Sequence, residues 1–72
     1  METHQRLRDL REDANLKQEN IAQILGIKQQ QYSEYERGKR EMSIKNYIKI
    51  AKYYNVSLDY VADLTNDKRK NW

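Results

Sequence analysis

Residues 18–37 read QENIAQILGIKQQQYSEYER, and the small and apolar positions within them decide the fold. Ile21, Ala22 and Leu25 recur at helical spacing, which predicts a helix over 18–25. Gly26 stops it, because glycine takes positive φ in a turn at no steric cost. Only Gly26, Ile27 and Lys28 separate this helix from another over 29–36, which carries Tyr32 and Tyr35 on its inner face and ends before Gly38. So short a link forces the two helices to pack at a steep angle. Ala22 is small where they must approach, and Ile27 plugs the turn into the core. Any tight helical corner explains one or two of these matches. Seven together at this spacing point to a DNA-binding helix-turn-helix.

Working outward, the pattern predicts three more helices. The first spans about 3–14, with Leu7 and Leu10 inward, Arg6, Arg8, Arg11 and Glu12 mostly outward, and Asn15 as its left-handed stop. Ser43 is a good N-cap for a fourth helix over 44–54. Ile44, Tyr47, Ile48, Ile50, Ala51 and Tyr54 form one broad apolar stripe there, while Tyr53 points away. Asn55 resembles a second left-handed cap, and Ser57 caps a short fifth helix over 58–64. Residues 1–65 are read as one all-α domain of five helices, and 66–72 as a short polar tail.

Composition sets the limits. The chain has 72 residues, no proline and only two glycines, with glutamine, charged and aliphatic residues filling helices. There is no cysteine, which excludes disulfides and cysteine-ligated zinc, and the one histidine, His4, lies near a chain end, which leaves Cys-His and Ser-His catalytic pairs without a credible member. The expectation is a non-enzyme with no cofactor and no metal. Aliphatic runs of a few residues leave no membrane span or signal peptide, so a cytoplasmic protein is expected. Fourteen basic residues against eleven acidic give a net charge of +3. Residues 28–40 hold four cations against two carboxylates, so the basic balance lies around the second helix of the corner.

The whole pattern resembles the Cro/repressor-type (XRE-like) helix-turn-helix regulators of bacteria and their phages, from about Leu7 to Leu64. The marks are Leu-Arg-Asp-Leu-Arg at 7–11, Leu-Lys-Gln-Glu-Asn-Ile-Ala at 16–22 and Leu-Gly-Ile at 25–27. They continue with Tyr-Glu-Arg-Gly-Lys-Arg at 35–40, Ile-Ala-Lys at 50–52 and Val-Ser-Leu-Asp at 56–59. The resemblance implies a compact lambda-repressor-like domain that binds double-stranded DNA. Three departures stand out. Lys17 replaces a frequent capping Ser or Thr, and Met42 replaces a frequent proline, which loosens its loop. Tyrosines at 32, 47 and 54 replace aliphatics, so each phenol must reach water or a partner.

In this arrangement the third helix enters the major groove. Lys28, Gln29, Gln30, Ser33 and Glu34 are the candidate base-contacting residues. Glutamine suits adenine N6 and N7, lysine suits guanine O6 and N7, and glutamate accepts from cytosine N4. Gln31 falls off that side. Gln18 at a helix N-terminus, Arg37, the flexible amide of Gly38, Lys39 and Arg40 are the candidate phosphate contacts; the Gln18 side chain is also placed to brace Gln29. The resemblance further implies an ion pair between Arg11 and Glu36 that orients the third helix.

A recognition helix covers few base pairs, so a homodimer on a palindromic operator is expected, paired through Tyr60, Leu64 and Trp72. The resulting reading is a sequence-specific transcription regulator that acts as a repressor. Alternatives are an antitoxin or phage switch protein with a protein partner, and an adaptor that binds protein alone. A polar, basic outer face on the third helix argues against the adaptor.

Overall fold

The computed structural model describes residues 3–64 and Lys68. Five helices appear among them: α1 (Thr3–Asp13), α2 (Gln18–Leu25), α3 (Gln29–Glu36), α4 (Ile44–Tyr54) and α5 (Leu58–Val61). None is long and apolar enough to cross a membrane.

All five helices close in the same way. Each is followed by a residue with positive φ: Asn15 at 58°, Gly26 at 72°, Gly38 at 71°, Asn55 at 60° and Asp63 at 63°. At every one, the following amide reaches back five positions to close a six-residue loop, as Leu16 does to the Arg11 carbonyl and Ile27 to that of Ala22. This paired closure satisfies carbonyls the helix end would otherwise leave open. It also shortens α5 relative to the span 58–64 read from sequence. The Leu64 amide bonds back to Asp59 at 2.8 Å, so Leu64 lies beyond the stop rather than on the helix.

Helix starts are capped locally. Ser43 Oγ accepts from the Asn46 amide at 3.3 Å, and Ser57 Oγ accepts from the Tyr60 amide at 2.9 Å. Lysine offers no acceptor, so α2 uses another device. Asn20 Oδ1 accepts from the Lys17 amide at 2.8 Å and fixes the entry from the far side.

Ile21, Tyr32, Ile50 and Val61 are fully buried at the centre, ringed by Leu7, Leu10, Ala22, Leu25, Tyr35, Ala51 and Val56. Met42 is buried as well, so the loop before α4 is anchored rather than loosened. Two expectations for α4 need correction. Ile44 is 66 % exposed and Ile48 41 %, although both belong to the apolar stripe of the sequence. At about 100° per residue, the arc from Ile50 through Tyr54, Tyr47 and Ala51 turns inward, and Ile44 and Ile48 lie past its edge. With α5 and α2 as its packing partners, α4 leaves that edge uncovered.

Arg6, expected on the outward side of α1, is only 3 % exposed. Its Nη2 bonds Asp63 Oδ1 at 2.7 Å, and its guanidinium stacks on the Tyr60 ring with 3.9 Å to the centroid. Thr3 Oγ1 donates to the Ala62 carbonyl at 3.1 Å beside it, tying the start of α1 to the end of α5. The Tyr32 phenol is buried beside the Glu36 carboxylate, its partner, whereas the Tyr54 phenol is buried with no protein hydrogen-bond partner among the described residues. Both residues turn inward on their helices rather than along the rim of the core.

Candidate nucleic-acid interface

The steep α2–α3 corner places α3 on the surface with one face inward. At about 100° per residue, Gln29, Ser33, Arg37, Gln30 and Glu34 span a continuous outward arc of roughly 140°. Tyr32 and Tyr35 lie on the opposite side and are buried; Glu36 borders the arc beside Gln29 yet is buried as well. Gln29, Gln30 and Arg37 are exposed, and Ser33 and Glu34 are partly so. Lys28 stands exposed just before the first turn, in extended backbone. Gln31 is held off this arc, since its Nε2 donates to the Tyr35 hydroxyl at 2.8 Å.

Behind the arc, α3 is fixed by an ionic junction. Arg11 Nε and Nη2 donate to the two Glu36 oxygens at 2.7 and 3.0 Å, a two-pronged geometry that sets both distance and angle. Arg11 Nη1 also donates to the Leu16 carbonyl at 3.0 Å. Burial alone would raise the Glu36 carboxyl, but the bonds from Arg11, Tyr32 and Gln18 together outweigh it and hold the group below its ordinary range. The same bond to Glu36 is the main cause that raises Arg11. Burial, with the Glu36 carboxylate nearby, pushes the Tyr32 phenol far above its ordinary value.

This junction alters the surface charge. Glu36 is paired inside the protein, so residues 28–40 present Lys28, Arg37, Lys39 and Arg40 against Glu34, with exposed Glu41 next in the loop. Glu34 is itself held by Arg40 Nη2 at 3.5 Å. A polar arc bordered by a cationic loop is chemically suited to a base edge flanked by phosphates.

Two sequence expectations change here. The Gln18 side chain donates to Glu36 Oε1 at 3.1 Å and does not brace Gln29. The Gly38 amide is engaged by the Tyr35 carbonyl at 3.2 Å, so Gly38 serves the loop through its backbone shape rather than as an available donor. Lys39 and Arg40 remain exposed in the loop. Tyr60 is half-buried under Arg6, Leu64 is 77 % exposed, and Trp72 lies outside the described residues, as does the 66–72 tail apart from Lys68. Sequence reasoning missed the Arg6–Asp63 clasp. The available signal was spacing: Arg6 lies four residues before Leu10 and so on the same side of α1.

The family model described as Helix-turn-helix matches residues 7–61. YobD, an HTH-type transcriptional regulator of Bacillus subtilis, is 36 % identical over 72 aligned positions, covering 93 % of this chain and 64 % of YobD. RstR, the cryptic phage CTXphi transcriptional repressor of Vibrio cholerae, is 33 % identical, covering 92 % of this chain and 57 % of RstR. Among solved structures, the restriction-modification controller protein C.AhdI from Aeromonas hydrophila superposes with a TM-score of 0.75 at 32 % identity. That match covers 82 % of this chain and 89 % of C.AhdI. The chain thus spans less than two thirds of the length of these two curated relatives.

Proposed function

The chain belongs to the XRE-like helix-turn-helix family, and from that membership we propose that it is a sequence-specific transcription regulator, acting as a repressor. Residues 1–65 form the DNA-binding unit, and α3 enters the major groove of double-stranded DNA. Lys28, Gln29, Gln30, Ser33 and Glu34 read base edges, while Arg37, Lys39 and Arg40 hold phosphates. Gln18 and Gly38 contribute by shaping the support and the loop, and the α2 N-terminus supplies backbone amides to a phosphate. The protein works in the cytoplasm, with no enzymatic step and no cofactor.

One observation carries this reading. The outward arc of α3 is polar and flanked by four exposed cations, while its inner side is locked by the Arg11–Glu36 pair.

The regulator binds as a homodimer on a palindromic operator. Ile44, Ile48 and Leu64 are exposed on or beyond α4 and α5, and an apolar groove of about 340 Å³ is lined by Ile48, Ala51, Lys52 and Leu58. That groove is favoured over Tyr60 as the pairing surface, because Tyr60 already stacks on Arg6. Selection of bound duplexes from a random pool at fixed salt tests the whole reading. Recovery of a two-fold symmetric site is expected; recovery of no common sequence would overturn it.

A further inference from the structure

His4 is the sole histidine of the sequence, and α3 and the loop after it lie far from it along the chain. Its imidazole nevertheless covers Gly38. A β-carbon built on Gly38 would come within 3.1 Å of His4 Nδ1 and 3.2 Å of Cε1. The ring therefore sits against the backbone between two exposed cations, Arg37 and Lys39. His4 and Gly38 share the wall of an open cleft of about 270 Å³ with Thr3, Arg40, Glu41 and Tyr47.

We propose that His4 is a further phosphate-contacting residue of the DNA interface, one whose contribution depends on its protonation. The inference rests on the DNA-binding reading above and deepens it. Imidazolium donates from both ring nitrogens, whereas neutral imidazole donates from one. Histidine is also the side chain that ordinarily changes charge between about pH 5 and 8. A phosphate held by the loop cations adds a negative charge beside the ring and favours the protonated form.

The other groups facing His4 define what the phosphate adds. The loop brings Arg40, which opposes a second cation, and Glu41, which favours one. From α3 and α4 come Tyr35 and Tyr47, which carry no charge at neutral pH. Along α1, Arg8 lies one turn on and is paired with Glu12 at 3.7 Å. An anion arriving on the loop side adds a negative charge beside the ring, so proton binding and DNA binding reinforce each other.

The test measures Kd for a selected duplex between pH 5.5 and 8 at constant ionic strength, for the wild type and His4→Gln. The imidazole resonance of the wild type is followed over the same range, free and DNA-bound. Expected is binding about 3- to 10-fold tighter at pH 5.5 than at pH 8, with tenfold corresponding to one pH unit of movement in the titration midpoint. His4→Gln loses that difference, and the bound imidazole titrates at higher pH than the free one. Equal pH dependence in both proteins overturns the proposal. So does an imidazole midpoint unmoved by DNA, a readout that needs no variant. If the wild type binds no duplex at any pH, the DNA-binding reading falls, and this proposal with it.

Discussion

Gln18 Nε2 and Arg11 Nη2 donate to the same oxygen of Glu36, at 3.1 and 3.0 Å. One carboxylate in the last turn of α3 is thereby held by the first residue of α2 and by the last full turn of α1. Three helices meet on a single charge, and the tilt of α3 is set there. The reading face is consequently sensitive to a group that points away from it.

Loss of that charge should appear in stability before it appears in specificity. Glu36 is held below the ordinary carboxylate range, so the unfolded chain takes up its proton more readily than the folded one. The stabilisation is present above the unfolded value, about pH 4.3, and is lost as pH falls through the lower folded value. Melting curves from pH 7 to 2 should show this loss in the wild type and a shallower one in Glu36→Gln. Arg11→Met should cost about 3 kcal/mol at pH 7, since it strands a carboxylate whose side chain is 3 % exposed. A melting temperature unchanged in Arg11→Met would sink this account.

The arc and the loop should fail in different ways. Gln29→Ala or Gln30→Ala should weaken binding at the selected site by about 1–3 kcal/mol and relax preference at one base pair. Lys39→Ala or Arg40→Ala should weaken all duplexes alike and reduce the salt slope by about one. Binding isotherms on cognate and scrambled duplexes at several salt concentrations separate the two. Wild-type affinity in both glutamine variants would show that bases are read elsewhere.

The two glycines should also respond differently. At Gly26 nothing lies within 4 Å of an added β-carbon, so Gly26→Ala costs only the left-handed strain, about 1–2 kcal/mol. Gly26→Val, with a branched side chain, should cost more. Gly38→Ala meets both strain and the His4 ring at 3.1 Å, and should be the more harmful alanine. In a His4→Ala background the excess should disappear. Denaturant unfolding of the four proteins in that cycle measures the coupling, and strict additivity would mean the ring yields without cost.

For pairing, Leu58→Lys should shift sedimentation toward monomer and also cost stability, because Leu58 packs partly buried against the core; Ile48→Lys, at an exposed position, should shift sedimentation with little change in melting temperature. Tyr60→Lys should do the reverse, because it sets a second cation beside the buried Arg6 guanidinium. Intact dimers in both groove variants would move the interface off α4 and α5.

Much of this architecture was legible in the sequence because its signals are local. Asn15, Gly26, Ser43, Asn55 and Ser57 announce helix ends within a few residues, and the structure uses each as expected. The outward arc of α3 followed from turn angle alone. What escaped depends on which helices come together. Ile44 and Ile48 match the apolar period of α4, yet among the described residues the packed neighbours leave much of their edge open. Arg6 is charged and still buried, because Asp63 and Tyr60 meet it from 57 and 54 positions away. The contact of Gln18 with Glu36 likewise exists only once α2 and α3 have packed, and nothing in the spacing of 18 residues encodes it.

The repeated six-residue closure after each helix bears on how the chain reaches this state. Every bend is specified within the residues that form it, so searching for the topology requires little long loop closure. Chains whose contacts are mostly near neighbours in sequence fold on a microsecond-to-millisecond timescale. Refolding here should fall in that window, with a rate that responds more to Asn15, Gly26 or Asn55 than to the Arg6–Asp63 clasp. The clasp joins the two ends of the described fold and so forms late, where it slows unfolding rather than speeding folding.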